Sequence, residues 1–115
     1  MDLKHFTVTV PANTSATNPL IIYNPMTSGK IIRVEVDIPA GHAYLTGLQI
    51  WHEGRPLYPD NPNEWLTGDD ENIVIISDYI VKGYSLQKLQ FKAYNVDTNL
   101  THTFRVRMSL IQNYC

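Results

Sequence analysis

The residues with the widest chemical range in this chain are its four histidines, His5, His42, His52 and His102. None stands in a zinc-type H-x-x-x-H pair, and the one cysteine, Cys115, is the last residue. His42 and His52 bracket one expected strand, which at about 3.3 Å per residue puts them roughly 30 Å apart, too far to share a metal within one chain. His5 and His102 fall near expected strand starts, where a solvated or internally satisfied ring is the ordinary reading. Asp69-Asp70-Glu71, with Asp60 and Glu64 nearby, has the oxygen chemistry calcium needs but not the spacing of an EF-hand loop. It reads better as the turn that starts the following strand. There is no G-x-S-x-G, no G-x-x-x-x-G-K and no G-x-G-x-x-G, so the nucleophile and phosphate-cradle patterns are missing. The expectation is a protein that is not an enzyme and has no metal or cofactor.

Binding chemistry is better represented. Both tryptophans, Trp51 and Trp65, fall in residues 38–71 with His52 and Tyr58. Exposed rings of this kind stack on sugars or bury in a protein neighbour; otherwise they close the end of their own core. Near the C-terminus, Arg105 and Arg107 alternate with apolar residues. If the last two strands form a hairpin, these arginines lie beside Lys88 and Lys92, and like charges across a pair need opposition. Glu35 and Asp37 on a neighbouring strand could supply it; without them the face is a basic patch. The candidate binding or interface residues are therefore Trp51, His52, Tyr58, Trp65, Arg105 and Arg107.

Strands must position these groups, because alternation of period two dominates the chain. Phe6, Val8 and Val10 alternate with threonines. Residues 11–19 are polar and Pro-bounded, a loop. Residues 20–23 form a short apolar strand, and Thr27-Ser28-Gly29 reads as a turn. Over residues 30–38, Ile32, Val34, Val36 and Ile38 share one face, with Arg33, Glu35 and Asp37 on the other. Residues 43–52 place Leu48 and Ile50 opposite Gln49 and Trp51. Glu53-Gly54-Arg55-Pro56 turns the chain, so that Leu57-Tyr58 folds back as a short arm, and residues 59–71 are a loop. Residues 72–76, apolar and β-branched, predict a buried strand; Lys82-Gly83 predicts a bend. Residues 86–95 point Leu89, Phe91 and Ala93 inward and Lys88, Gln90, Lys92 and Tyr94 outward. After a turn at residues 96–99, residues 101–111 alternate Phe104, Val106, Met108 and Leu110 with Thr103, Arg105, Arg107 and Ser109. About eight strands with no helical period predict an all-β fold, an antiparallel two-sheet β-sandwich of jelly-roll or Ig-like type. The missing Cys–Trp–Cys pattern and the long central loop favour the jelly roll.

A chain of 115 residues reads as one domain over residues 1–115, with residues 1–19 as a candidate extended arm. A net charge of −2 gives no electrostatic case for nucleic acid or an anionic membrane. The charge is divided, however. Residues 53–78 hold seven acids and one base, and residues 82–107 hold five bases and one acid, so copies of the chain could attract one another. One terminal cysteine allows no internal disulfide. The N-terminal residues show no signal-peptide pattern, and no apolar run reaches the roughly 20 residues of a membrane helix. Without a secretory signal, the sequons at Asn13-Thr14-Ser15 and Asn99-Leu100-Thr101 are taken as chance matches.

Three stretches carry a family likeness: residues 38–54 (IPAGHAYLTGLQIWHEG), residues 59–71 (PDNPNEWLTGDDE) and residues 95–107 (NVDTNLTHTFRVR). Together they resemble small jelly-roll β-sandwich proteins encoded by bacteriophages and related viruses. The resemblance implies a virion structural protein, made in the host cytoplasm without a signal peptide. It would be a capsid decoration or cement protein, or a head- or tail-associated subunit. It implies homo-oligomers, most often trimers, and contact with a major capsid or other virion protein, with residues 53–71 as a contact surface toward either sister subunits or the shell. The alternative is a carbohydrate-binding or receptor-binding module that uses Trp51, Tyr58 and Trp65 as a stacking platform for glycan.

Overall fold

The computed structural model describes residues 2–25, 29–81 and 88–112, with the side chains of residues 2, 88 and 112 left aside. The turn expected around Thr27-Ser28, the bend expected at Lys82-Gly83 and the terminal Cys115 lie outside the described residues.

Among the described residues, eight strands run in order: β1 (Asp2–Val10), β2 (Leu20–Pro25), β3 (Gly29–Ile38), β4 (Thr46–His52), β5 (Arg55–Tyr58), β6 (Glu71–Val81), β7 (Lys88–Asn95) and β8 (His102–Gln112). They form two antiparallel four-stranded sheets, sheet A in the order β1-β8-β3-β6 and sheet B in the order β2-β7-β4-β5. The all-β, two-sheet sandwich expected from the alternation is the architecture found. Each strand turns one row inward, and the inward rows meet in one core. Val8, Ile31, Val34, Val36, Phe104, Val106, Met108 and Leu110 enter it from sheet A, and Leu48, Ile50, Leu89, Phe91 and Ala93 from sheet B. Phe6 packs at the margin, its ring centroid 5.1 Å from that of Phe91.

Only β4 and β5 are sequence neighbours within one sheet; every other connection crosses between sheets. The hairpin expected from the last two strands does not form. β7 lies in the middle of sheet B and β8 in the middle of sheet A. Alternation looks the same whether two strands pair side by side or face each other across a core, so the pattern did not separate the two cases. The crossing is held by Asn95, a fully buried residue whose Nδ2 donates to the Val10 carbonyl (3.1 Å) and the Leu100 carbonyl (2.9 Å).

Four other expectations shift. In β3 the pairing with both neighbours changes register between Ile31 and Arg33. The irregularity resets the phase, so Ile31 is the core residue and Ile32 is only part-buried. β4 begins at Thr46 because Ala43 and Tyr44 have φ of 49° and 61°, a left-handed backbone that no strand accommodates. The short arm expected at Leu57-Tyr58 is the end of β5, where Tyr58 is buried. β6 is not a buried strand but the edge of sheet A. It continues to Val81, and only its Ile73–Ile75–Ser77–Tyr79 row faces inward. Of the candidate arm over residues 1–19, residues 2–10 pair with β8 along their whole length.

Candidate interaction surface

The predicted site residues do not converge. They separate into a seam inside the sandwich and two opposite outer faces.

His52 and Tyr58 belong to the seam. His52 closes the inward row of β4, and its Nδ1 is hydrogen-bonded to the Tyr79 hydroxyl at 2.6 Å. The Tyr58 hydroxyl is hydrogen-bonded to Ser77. Both bonds tie sheet B to β6 of sheet A, so these two side chains rivet the edges of the sandwich together. Burial raises both tyrosine pKa values above the ordinary phenol value, which keeps the hydroxyls protonated for these bonds. Beside the seam, between β5 and β6, lies an open groove of about 450 Å³ lined by Leu57, Tyr58, Leu66 and Ile75, among others.

Trp51 and Trp65 lie on the outer face of sheet B, and both are engaged by the protein itself. The Lys92 ammonium sits 3.9 Å from the Trp51 ring centroid, a close cation–π contact. The Trp51 Nε1–H donates to Gln49 Oε1 at 3.0 Å. Gln49 is almost fully buried, and its Nε2 donates to the carbonyls of Pro62 (2.9 Å) and Glu64 (2.6 Å). Trp65 meets Tyr94 edge-to-face at 4.8 Å. A Cβ on Gly47 would overlap the Tyr94 ring, so the glycine lets Tyr94 lie against the strand. Leu66 and Leu48 exchange backbone hydrogen bonds of 2.9 Å. This side of the loop, with both tryptophans, is thus fastened down on sheet B.

Arg105 and Arg107 lie on the outer face of sheet A, away from the tryptophans. The anticipated opposition by Glu35 and Asp37 is present. Glu35 sits between Arg33 (2.8 Å) and Arg107 (3.3 Å), and Asp37 lies 4.0 Å from Arg105. The Lys88 and Lys92 that were expected beside them are in sheet B, and the cation added to this face is Arg33 of β3. What flanks this charge ladder is apolar: Leu3 on β1, Ile111 on β8, and Val74 and Ile76 on β6 are exposed, Ile76 by 78%. Ile76 pairs with Arg33, and Val74 with Glu35. Isolated exposed aliphatics are ordinary, but an adjacent pair on β6, with Leu3 and Ile111 on the other side of a ladder of ion pairs, has the composition of a contact surface.

The sequence reading missed a cluster at the loop end. His42 is buried against His102, ring centroids 4.7 Å apart, with Phe104 at 4.9 Å. His42 Nε2 lies 3.1 Å from the Thr103 carbonyl and so donates to it, which leaves Nδ1 to accept from the Thr46 hydroxyl at 2.6 Å. Burial is the main reason the His42 pKa lies below the ordinary histidine value, with His102 adding to it. His102 Nε2 donates to Asp97 Oδ2 at 2.9 Å. The backbone N–H of Asn99 and then His102 hold the Asp97 carboxyl below its usual range; those of Ala43 and Gly41 do the same for Asp69. Among the described residues, no group of three His, Cys, Asp or Glu side chains could hold a metal ion.

The sequence matches no protein-family model and no curated protein. The functional reading rests on the surfaces just described.

Proposed function

We propose that this chain is a structural subunit and not an enzyme, a virion protein that acts through protein–protein contacts with copies of itself and with a major capsid or other virion protein. A capsid decoration or cement protein, or a head- or tail-associated subunit, is the kind meant. The observation that carries the reading is the outer side of sheet A, where exposed Val74, Ile76, Leu3 and Ile111 border a ladder of ion pairs linking Arg33, Arg105 and Arg107 to Glu35 and Asp37. Such a surface has little to offer a small polar ligand and much to gain from being covered by another protein. The strand order supports a jelly-roll reading. β1-β8-β3-β6 over β2-β7-β4-β5 is what two Greek keys folded over each other give, in keeping with the viral resemblance.

Glycan or receptor binding is the second reading, favoured by Tyr23 and Ile21, both exposed on the same side of sheet B as Trp51. It is the weaker one, because Lys92 covers a face of the Trp51 ring and Trp65 is turned onto Tyr94. A glycan array run with the wild type and Trp65→Ala separates the two. Assembly predicts no glycan signal from either protein. A reproducible glycan hit on the wild type, lost in Trp65→Ala with the fold retained, would replace the first reading with the second.

A further inference from the structure

We infer that β6 is a pairing edge: it extends sheet A by joining β6 of a second copy, antiparallel, about a two-fold axis perpendicular to the sheet. The inference rests on the assembly reading above and names the surface and the partner.

An edge strand presents unpaired backbone N–H and C=O groups, and proteins blunt such edges with short strands, proline, lysine or an inward-pointing charge. Three of the four edges here are blunted. β5 has four residues, one of them Pro56, and β2 has six and ends in Asn24-Pro25. β1 carries Lys4 in the phase that otherwise holds Phe6, Val8 and Val10. In β6 such features lie only toward the ends: Glu71 in the inward phase, and a pairing irregularity between Ile76 and Tyr79, while residues 72–76 between them pair regularly with β3 and carry no charge. The 11 residues of β6, ENIVIISDYIV, contain no proline, lysine, arginine or glycine. Its outward row exposes Val74 by 45% and Ile76 by 78%. It is the longest of the four edges and the most β-branched.

The strand is complementary to itself. Centred on Ile75, an antiparallel pair sets Val74 opposite Ile76 of the partner subunit on the outer face. Asn72 then faces Asp78 of the partner subunit, so no two acids stand opposite each other. Glu71 of the partner subunit comes opposite Tyr79, whose ring centroid lies 5.9 Å from the Arg55 guanidinium. The inward row of the incoming strand runs along the groove lined by Leu57, Leu66 and Ile75. A two-fold contact also closes. Pairing β6 with β1 of another copy would be head-to-tail and would continue into filaments, and Lys4 blunts that edge.

The test uses single-cysteine variants in a Cys115→Ser background, together with Ile76→Lys. Under mild oxidation, Ile75→Cys is expected to cross-link to itself, and mixed Val74→Cys and Ile76→Cys to cross-link to each other. Ile76→Lys, at an exposed position, is expected to keep the wild-type circular dichroism, and the melting midpoint at dilutions where both proteins are monomeric, while weakening the dimer at least about tenfold. A multimer whose mass Ile76→Lys leaves unchanged, and in which no β6 cysteine cross-links, would overturn the pairing while leaving the assembly reading in place. A cross-link between β6 and β1 cysteines would overturn the two-fold arrangement. A wild type that stays monomeric and binds glycan would remove both the pairing and the reading it rests on.

Discussion

On the outer face of sheet B the large rings are spent on the protein's own loop: Trp51 lies under Lys92, Trp65 against Tyr94, and Gln49 holds two loop carbonyls. On the outer face of sheet A the aliphatic side chains Val74 and Ile76 stand open beside a ladder of ion pairs. The residue types that look most like a binding site are therefore internal fasteners, and those that look most like core are left for a partner. Side-chain chemistry alone does not mark a contact surface. What marks it is whether the neighbours in the fold have already satisfied that chemistry.

Substitutions on the two faces should then behave oppositely, and a core substitution beneath both sets the scale. Phe91→Ala, in the core the two sheets share, is expected to cost about 3–5 kcal/mol of stability in a urea titration. On sheet B, Gln49→Ala strands two loop carbonyls and the Trp51 indole and is expected to cost about 1–3 kcal/mol. Limited proteolysis should then cut residues 59–66 faster. A Gln49→Ala protein as stable as the wild type would mean that the loop is not fastened as described. Gly47→Ala drives the Tyr94 ring off the strand and is expected to cost about 1–3 kcal/mol, with a change in tryptophan fluorescence as Trp65 loses its contact.

The loop end adds a pH dependence. The buried His42 is neutral in the fold, whereas in the unfolded chain it takes up a proton near its model value of 6.5. The unfolded state then binds more protons, so stability is full above about pH 6.5 and falls as the pH drops below it. Asp97 and Asp69, whose folded pKa values are depressed, add stability that persists to lower pH and is lost as the pH falls through those values. Thermal melts between pH 8 and pH 5 should show a decline that His42→Gln, which carries no titrating ring, reduces. The smallest effect on stability is expected from Ile76→Lys, within about 0.5 kcal/mol, although it has the largest effect on assembly.

The comparison also shows what could be read from the sequence. The inward rows of β7 and β8 were legible residue by residue, because burial on one face forces period-two alternation. The hairpin between β4 and β5 was legible from its turn residues. Which strands pair was not, since facing and adjacent strands alternate alike, and so β7 and β8 were wrongly joined. The phase reset after Ile31 left no mark in a run of β-branched residues. β6 reads as buried because isoleucine and valine usually are. Of the candidate site, the opposition of Arg105 and Arg107 by Asp37 and Glu35 was legible from the charges. The burial of His52 and Tyr58 was not, because their partners Tyr79 and Ser77 lie on another sheet. His42 and His102 meet only through the fold, at a strained turn of Ala43 and Tyr44 that no local pattern announces.

The measurement that tests the central claim most directly is the mass of the wild-type protein by light scattering behind a sizing column, at two concentrations. One chain is 13.1 kDa. The account predicts a closed multimer, a dimer in the simplest case, that persists or grows at the higher concentration. A mass of one chain at both concentrations would contradict it, and would mean that Val74 and Ile76 face water in the free protein.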